Sequence, residues 1–402
     1  MRIAYVTETY PPEVNGVALT AARAVAYLRA QGHAVQVLRP RQAAERRREP
    51  TDRAGQAHST DRADPAHSTD DWLCQGCAIP MYPELRFGVA RTATLVRHFE
   101  HTRPELVHVA TEGPLGWAAV AAARRLGLPV TSDFRTNFHL YSGYYRLGWL
   151  APAITGYLRR FHNRTRRTFV PTALGRDALL AAGFERVDVV GRGVDLDRFT
   201  PARRDPCRGG FRAASGSPVL LYVGRLAAEK NVAVALRAFR QVARFVPRVQ
   251  MVVVGDGPQR SALERDFPDA QFVGSHTGDA LAAHYANADV FLFPSLSDTF
   301  GNVTLEALAS GLPVVAYRLA AAAELVTDRV NGRLVEPGDE AGFAMAASLL
   351  ASLHPELGPM REQARVAACA CDWPGVLQRF ERHLLDAADA HRPAGTATAC
   401  VA

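Results

Sequence analysis

Residues 293–307 read Phe293-Pro294-Ser295-Leu296-Ser297-Asp298-Thr299-Phe300-Gly301-Asn302-Val303-Thr304-Leu305-Glu306-Ala307. The run that enters this stretch, Ala288 to Phe293, has the character of a buried strand. Pro294 stops it, a polar loop follows, and the chain restarts as a helix carrying Leu305, Glu306 and Leu308. Two carboxylates, Asp298 and Glu306, frame the junction with seven residues between them. A strand, a loop and a helix N-terminus aim free backbone N–H groups and the helix dipole at one spot, which suits an anion. Acids placed there are costly unless they meet something neutral or cationic, such as sugar hydroxyls. The stretch therefore predicts a pocket for a phosphate and a sugar together.

The same punctuation occurs upstream. Val219 to Val223 reads as a buried strand, followed by Gly224 and Arg225, with Lys230 at the opening of a helix. Two cations beside a helix start suit a pyrophosphate, arginine as a fork of donors and lysine as a point charge. Gly224 is small enough to let backbone approach a ligand. Near the N-terminus, residues 2–7 read as a strand, Asn15-Gly16 breaks the chain, Ala18 to Ala30 reads as a helix and Ala34 to Leu38 as a second strand. This βαβ unit opens a doubly wound sheet, and Gly16 lets its loop approach a phosphate or forms an ordinary turn. Further strand-like runs at 105–110, 129–133, 167–171 and 187–190 continue the series. A second series runs through 219–223, 250–254, 270–273, 288–293 and 312–316.

The expected organisation is a first domain over 1–199, a Pro-, Arg- and Gly-rich linker over 200–217, a second domain over 218–375, and a tail over 376–402. The tail is a helix around Trp373 to Ala387, then a frayed end. Residues 41–71 do not fit the first domain. Thr51 to Ser59 recurs as Thr60 to Ser68, a polar tandem duplication that reads as a disordered surface insertion. Its His58 and His67, nine apart, could be argued as metal ligands but read as surface side chains.

At 402 residues and 48% apolar content the chain is long enough for two cores. No apolar run approaches the ~18 residues of a membrane span. The N-terminus turns polar at Thr7, and the six cysteines have no framework spacing, so a reducing, cytoplasmic setting is expected. Cys74-Gln75-Gly76-Cys77 is a lone pair of thiols that reads as a loop. Net charge is +7. No nucleic-acid motif accompanies it, so the partners expected are phosphorylated ligands and an anionic membrane surface. The stretch from Tyr141 to Phe169, with Tyr144, Tyr145, Trp149 and Tyr157 followed by Arg159, Arg160, Arg164, Arg166 and Arg167, suits such a surface or else a core helix with a solvated basic face.

Five motifs taken together carry a resemblance. They are Pro11 to Gly16, Gly193-Val194-Asp195 with Phe199, Gly224 to Asn231, Gly255-Asp256-Gly257-Pro258, and the acid pair Asp298 and Glu306. In this order they resemble the retaining nucleotide-sugar glycosyltransferases of family 4, whose acid pair is spaced E-x7-E. The resemblance spans roughly residues 1 to 375 and implies the GT-B fold, two Rossmann-like doubly wound domains facing across a cleft. The wording around Ser297 to Tyr317 is most similar to the GDP-mannose-dependent α-mannosyltransferase and lipid glycosyltransferase branch. The expected function is transfer of an α-hexose, mannose from GDP-mannose, to a lipid-linked or glycolipid acceptor. A UDP-glucose donor, a sugar-nucleotide epimerase and a non-catalytic nucleotide-binding module are the alternatives.

The resemblance implies roles. Arg225 and Lys230 bind the donor diphosphate and stabilise the leaving group; Glu306 accepts from the ribose. Asp298 stands near the donor hexose, one methylene shorter than the usual glutamate. Phe300, Gly301 and Asn302 offer backbone N–H groups, and the backbone at Val273 reads the base. Arg135 stands where many relatives carry histidine, so His139 could take the cleft position and Arg135 could bind acceptor or phosphate. Glu112 is a further acceptor-side candidate, or a helix N-terminal acid. No Asp-x-Asp motif stands at a strand end, so neither metal nor cofactor is expected.

Overall fold

The computed structural model describes residues 1–13, 15–41, 71–79, 82–135, 151–205 and 217–391. The first part of the chain builds β1 (Arg2–Val6), α1 (Gly16–Ala30), β2 (Ala34–Pro40), β3 (Trp72–Ile79) and β4 (Tyr82–Val89). It continues with α2 (Thr92–Thr102), β5 (Leu106–Val109), α3 (Pro114–Arg125), β6 (Val130–Asp133), α4 (Ala151–His162), β7 (Arg167–Val170), α5 (Ala173–Ala181) and β8 (Val187–Val189). These eight strands form one sheet in the order β4-β3-β2-β1-β5-β6-β7-β8, parallel except for the β3–β4 pair. The short strands β1, β5 and β6 are buried on both faces, as strands covered by helices on each side must be.

The second part builds β9 (Val219–Val223), α6 (Val232–Val242), β10 (Gln250–Val254), α7 (Arg260–Asp266), β11 (Gln271–Gly274), α8 (Gly278–Asn287) and β12 (Val290–Phe293). It ends with α9 (Asn302–Ala309), β13 (Val314–Tyr317), α10 (Ala320–Leu325), β14 (Gly332–Val335), α11 (Glu340–Ser352), α12 (Gly358–Cys369) and α13 (Trp373–Asp389). The sheet order is β11-β10-β9-β12-β13-β14, all parallel. In sequence rank this is 3-2-1-4-5-6, the dinucleotide-fold order, whose direction reverses between β9 and β12. In the first sheet the reversal lies between β1 and β5. Ligands of open α/β sheets bind beyond the carboxyl ends of such strands, because the crossovers diverge there and leave a crevice. The residues after β1, β5, β9 and β12 are thus singled out by topology alone.

Two connections join the halves. Val194 N donates to Cys371 O at 2.9 Å, and Gly193 lies directly under Trp373. Beyond that crossing, α13 leaves the second sheet and packs Leu377, Phe380 and Leu384 against Ile3, Tyr5, Val25 and Leu28 of the first. Arg365 ties the outgoing segment down, donating to Phe199 O at 2.7 Å, Ala309 O at 2.6 Å and Leu196 O at 3.1 Å. Buried Asp289 does the same for the segment after it, accepting from Arg204 at 2.6 Å and from the Val219 N–H at 2.9 Å.

Two features differ from expectation. Cys74 and Cys77 lie on β3, not in a loop, with residues 74–77 alternating buried and exposed. That edge pair went unread because half its positions are solvated and polar, which weakens the apolar signal. β14 was likewise missed, a four-residue edge strand containing Arg333. The duplicated segment and the tail beyond residue 391 lie outside the described residues.

Candidate active site

The loop after β12 and the turn after β9 lie side by side. Lys230 closes a short 3-10 turn (Ala228–Lys230), and Asn231 in the left-handed region (φ 55°) redirects the chain into α6. Lys230 Nζ donates to Asp298 Oδ1 at 2.6 Å, with both side chains largely shielded. Arg225 stands 3.9 Å from Glu229, whose buried carboxylate lies beneath the turn. Gly301 (φ 86°) caps α9 from a conformation that a side chain would strain, so the α9 N-terminus presents bare backbone at Phe300, Gly301 and Asn302. Glu306, a turn into α9, accepts from Tyr285 Oη at 3.0 Å. Burial pushes its carboxyl up to about 7, opposed by the tyrosine hydroxyl and by the charge of Arg23. Val273 sits on β11 at the same carboxyl-end rim.

The first domain closes the other side. Asn15 caps α1, its Oδ1 accepting from the N–H groups of Val17 and Ala18 at 3.1 and 2.8 Å. A Cβ added at Gly16 would stand 3.8 Å from Asn302 Nδ2, so the glycine loop faces the head of α9 directly. Arg23, one face of α1 further on, stacks on Trp373 at 4.8 Å and reaches Asp195 at 4.0 Å. At the first sheet's own reversal point, Glu8 Oε1 accepts from Leu115 N at 2.8 Å and caps α3. Burial and the nearby Glu112 push the Glu8 carboxyl up to about 8. Glu112 pairs instead with His162 at 3.3 Å. At the end of β6, buried Asp133 meets His108 at 3.2 Å and the Arg135 guanidinium, which together hold its carboxyl well below the usual range despite burial.

The family model for glycosyltransferase family 4 matches residues 14–198, and that for glycosyl transferases group 1 matches residues 217–352. A GDP-mannose-dependent alpha-mannosyltransferase of Mycolicibacterium smegmatis is 33% identical over 387 residues, 95% of this chain and 96% of the relative. The chain is a family 4 glycosyltransferase. An alpha-monoglucosyldiacylglycerol synthase of Streptococcus pneumoniae is 28% identical over 88% of this chain and 79% of its own. Among solved structures, Anabaena HepE in complex with UDP superposes with a TM-score of 0.73 at 17% identity, covering 96% of this chain and 100% of HepE. At that identity the match establishes the fold, which is GT-B.

Of the residues singled out in its sequence, the glycosyltransferase brings Gly224, Arg225, Lys230, Asp298, Phe300, Gly301, Asn302 and Glu306 to one rim, with Gly16 opposite. His139 lies outside the described residues. Glu112 stands one residue before Gly113, the N-cap of α3, where the Leu115 N–H goes to Glu8 and the Glu112 carboxylate pairs with His162. Tyr285, Glu229 and Arg23 were missed. Tyr285 is embedded in the apolar face of α8 and reads as core; only the fold brings its hydroxyl to Glu306. Gly255 and Gly257 are turn residues packed on backbone: added Cβ atoms would meet Gly224 O at 1.9 Å and Leu226 O at 2.4 Å.

Proposed function

We propose that this glycosyltransferase moves a mannosyl group from GDP-mannose, with retention of configuration, to a lipid-linked or glycolipid acceptor at the cytoplasmic face of a membrane. The donor choice is carried by the likeness to the GDP-mannose-dependent relative over 95% of the chain. The bond between the anomeric carbon and the β-phosphate oxygen breaks, and its electron pair goes to the diphosphate. Arg225, Lys230 and the backbone N–H groups at the head of α9 meet that growing charge, so no metal or cofactor is required. The acceptor hydroxyl forms the new bond and its proton leaves with the diphosphate. Glu306 holds the ribose, Asp298 the hexose, and the backbone at Val273 the base.

The lipid acceptor is supported by the diacylglycerol named in the streptococcal relative and by net charge +7. Among the described residues no helix is long and apolar enough to cross a membrane. Arg159 and Arg160 are exposed on α4. Arg167 pairs with Asp188 at 2.5 Å, Arg166 holds Ala390 O at 2.5 Å and Arg164 stacks on Trp117 at 5.0 Å. The outward basic face is therefore smaller than the sequence implies, and α4 contributes about 1 kcal/mol for each of two arginines to an anionic surface. A UDP-glucose donor is the second reading, supported by the glucosyl product named in the same relative. With radiolabelled GDP-mannose and anionic vesicles of bacterial lipid, label should enter the lipid phase and fall as ionic strength rises. Label confined to water-soluble product would overturn the acceptor.

A further inference from the structure

Beyond the carboxyl ends of β6, β7 and β8 lies a small cleft, partly open to solvent and roofed by α1 and α13. Thr20 of its wall is one helical turn past Gly16, so the pocket adjoins the donor-facing loop. Two guanidinium groups line it, Arg135 and Arg192. Arg135 spends part of its fork on Asp133, while its Nη1 is buried with no hydrogen-bond partner among the described residues. Arg192 makes no side-chain hydrogen bond or ion pair among the described residues, although burial and the like charge of Arg135 both disfavour its cation and push it down to about 9. Two arginines and one carboxylate leave a surplus positive charge in a half-enclosed site. The rest of the wall is apolar, from Trp373, Leu377 and Phe380 on α13 and Phe169 on β7.

A chain does not gain stability by placing a second guanidinium beside one whose Nη1 is already buried without a partner. An oxyanion between them would satisfy both, since each fork matches two oxygens of a phosphate. The apolar wall gives an organic substituent on that phosphate a surface to cover. We propose that this pocket binds a phosphate ester, clamped by Arg135 and Arg192, as the anionic part of the acceptor. This rests on the acceptor binding in the first domain, and it adds that the acceptor carries a phosphate.

The test is a titration followed by melting temperature, with GDP saturating so that the donor cations are occupied. The probes are inorganic phosphate and glycerol 3-phosphate. Glycerol 3-phosphate should raise the melting temperature of the wild-type chain. Arg192→Gln should weaken its binding at least about tenfold, the effect of losing a charge-assisted hydrogen bond, and Arg192→Lys less. Arg225→Ala should leave that response in place. Absence of any shift in the wild type, or a response kept in Arg192→Gln and lost in Arg225→Ala, overturns the site. A shift from inorganic phosphate equal to that from the ester would overturn the acceptor assignment and make the pocket a site for a free anion. Turnover does not enter this readout, so a wrong donor or a soluble acceptor would leave its result intact.

Discussion

Lys230 and Asp298 illustrate how little separates a structural pair from a working one. Their 2.6 Å contact joins the cation proposed to meet the phosphate to the acid proposed to meet the sugar. Arg225→Ala or Lys230→Ala should lower turnover by roughly two to three orders of magnitude, the usual loss when an electrostatic stabiliser is removed. Near-wild-type rates in both would take these cations out of the chemistry. Glu306 gives a pH test. Its folded pKa of about 7 lies above the ordinary 4.5, so its contribution to stability is full at low pH and is lost as pH rises from about 4.5 through about 7. The stability of the unliganded chain relative to Glu306→Gln should fall across that window. Ribose hydroxyls donate to the ionised carboxylate and favour it, so GDP binding at pH 6.5 should release protons in calorimetry with buffers of different ionisation heat. Equal release by Glu306→Gln would contradict the assignment.

At the scale of elements, two glycines with similar sequence settings behave differently. A Cβ at Gly193 would meet Trp373 Cα at 2.7 Å and its ring at 2.6 Å, where the start of α13 leaves no room to yield. Gly193→Ala should therefore destabilise the chain by at least about 1–3 kcal/mol, read by denaturant unfolding. A Cβ at Gly16 meets nothing closer than 3.8 Å and α1 keeps its Asn15 cap, so Gly16→Ala should fold normally while losing donor affinity. A Gly16→Ala chain with wild-type affinity would mean that this loop does not approach the donor. Sequence spacing located both glycines but could not separate them, because the difference is the identity of the neighbour across a domain crossing. The rim of the site was legible because Gly224, Arg225, Lys230, Asp298 and Glu306 all follow strand ends. Arg192 and Tyr285 were not, since one lies at the end of a weak edge strand and the other inside an apolar helical run.

For the whole molecule, two sheets whose strand orders reverse once each set their reversal points toward one another, and α13 fastens the second half back onto the first. The doubly wound order was readable from repeated apolar strands alternating with helices; the β3–β4 edge was not, because its polar positions hide the alternation. That edge bears on the duplicated segment. Arg41 N donates to Cys74 O at 3.0 Å and Arg39 reaches Asp71 at 3.3 Å, so the two ends of the segment are held beside each other by β2 and β3. Deleting residues 51–68 should leave melting temperature and turnover nearly unchanged, and a large drop in melting temperature would show that the duplication is packed. On the proposed reading the paired sheets hold GDP-mannose. Purified chain supplied with acceptor lipid and either GDP-mannose or UDP-glucose should release nucleoside diphosphate from GDP-mannose, with an α-linked mannosyl product by proton NMR. Turnover of UDP-glucose with none of GDP-mannose, or a β-linked product, would contradict it.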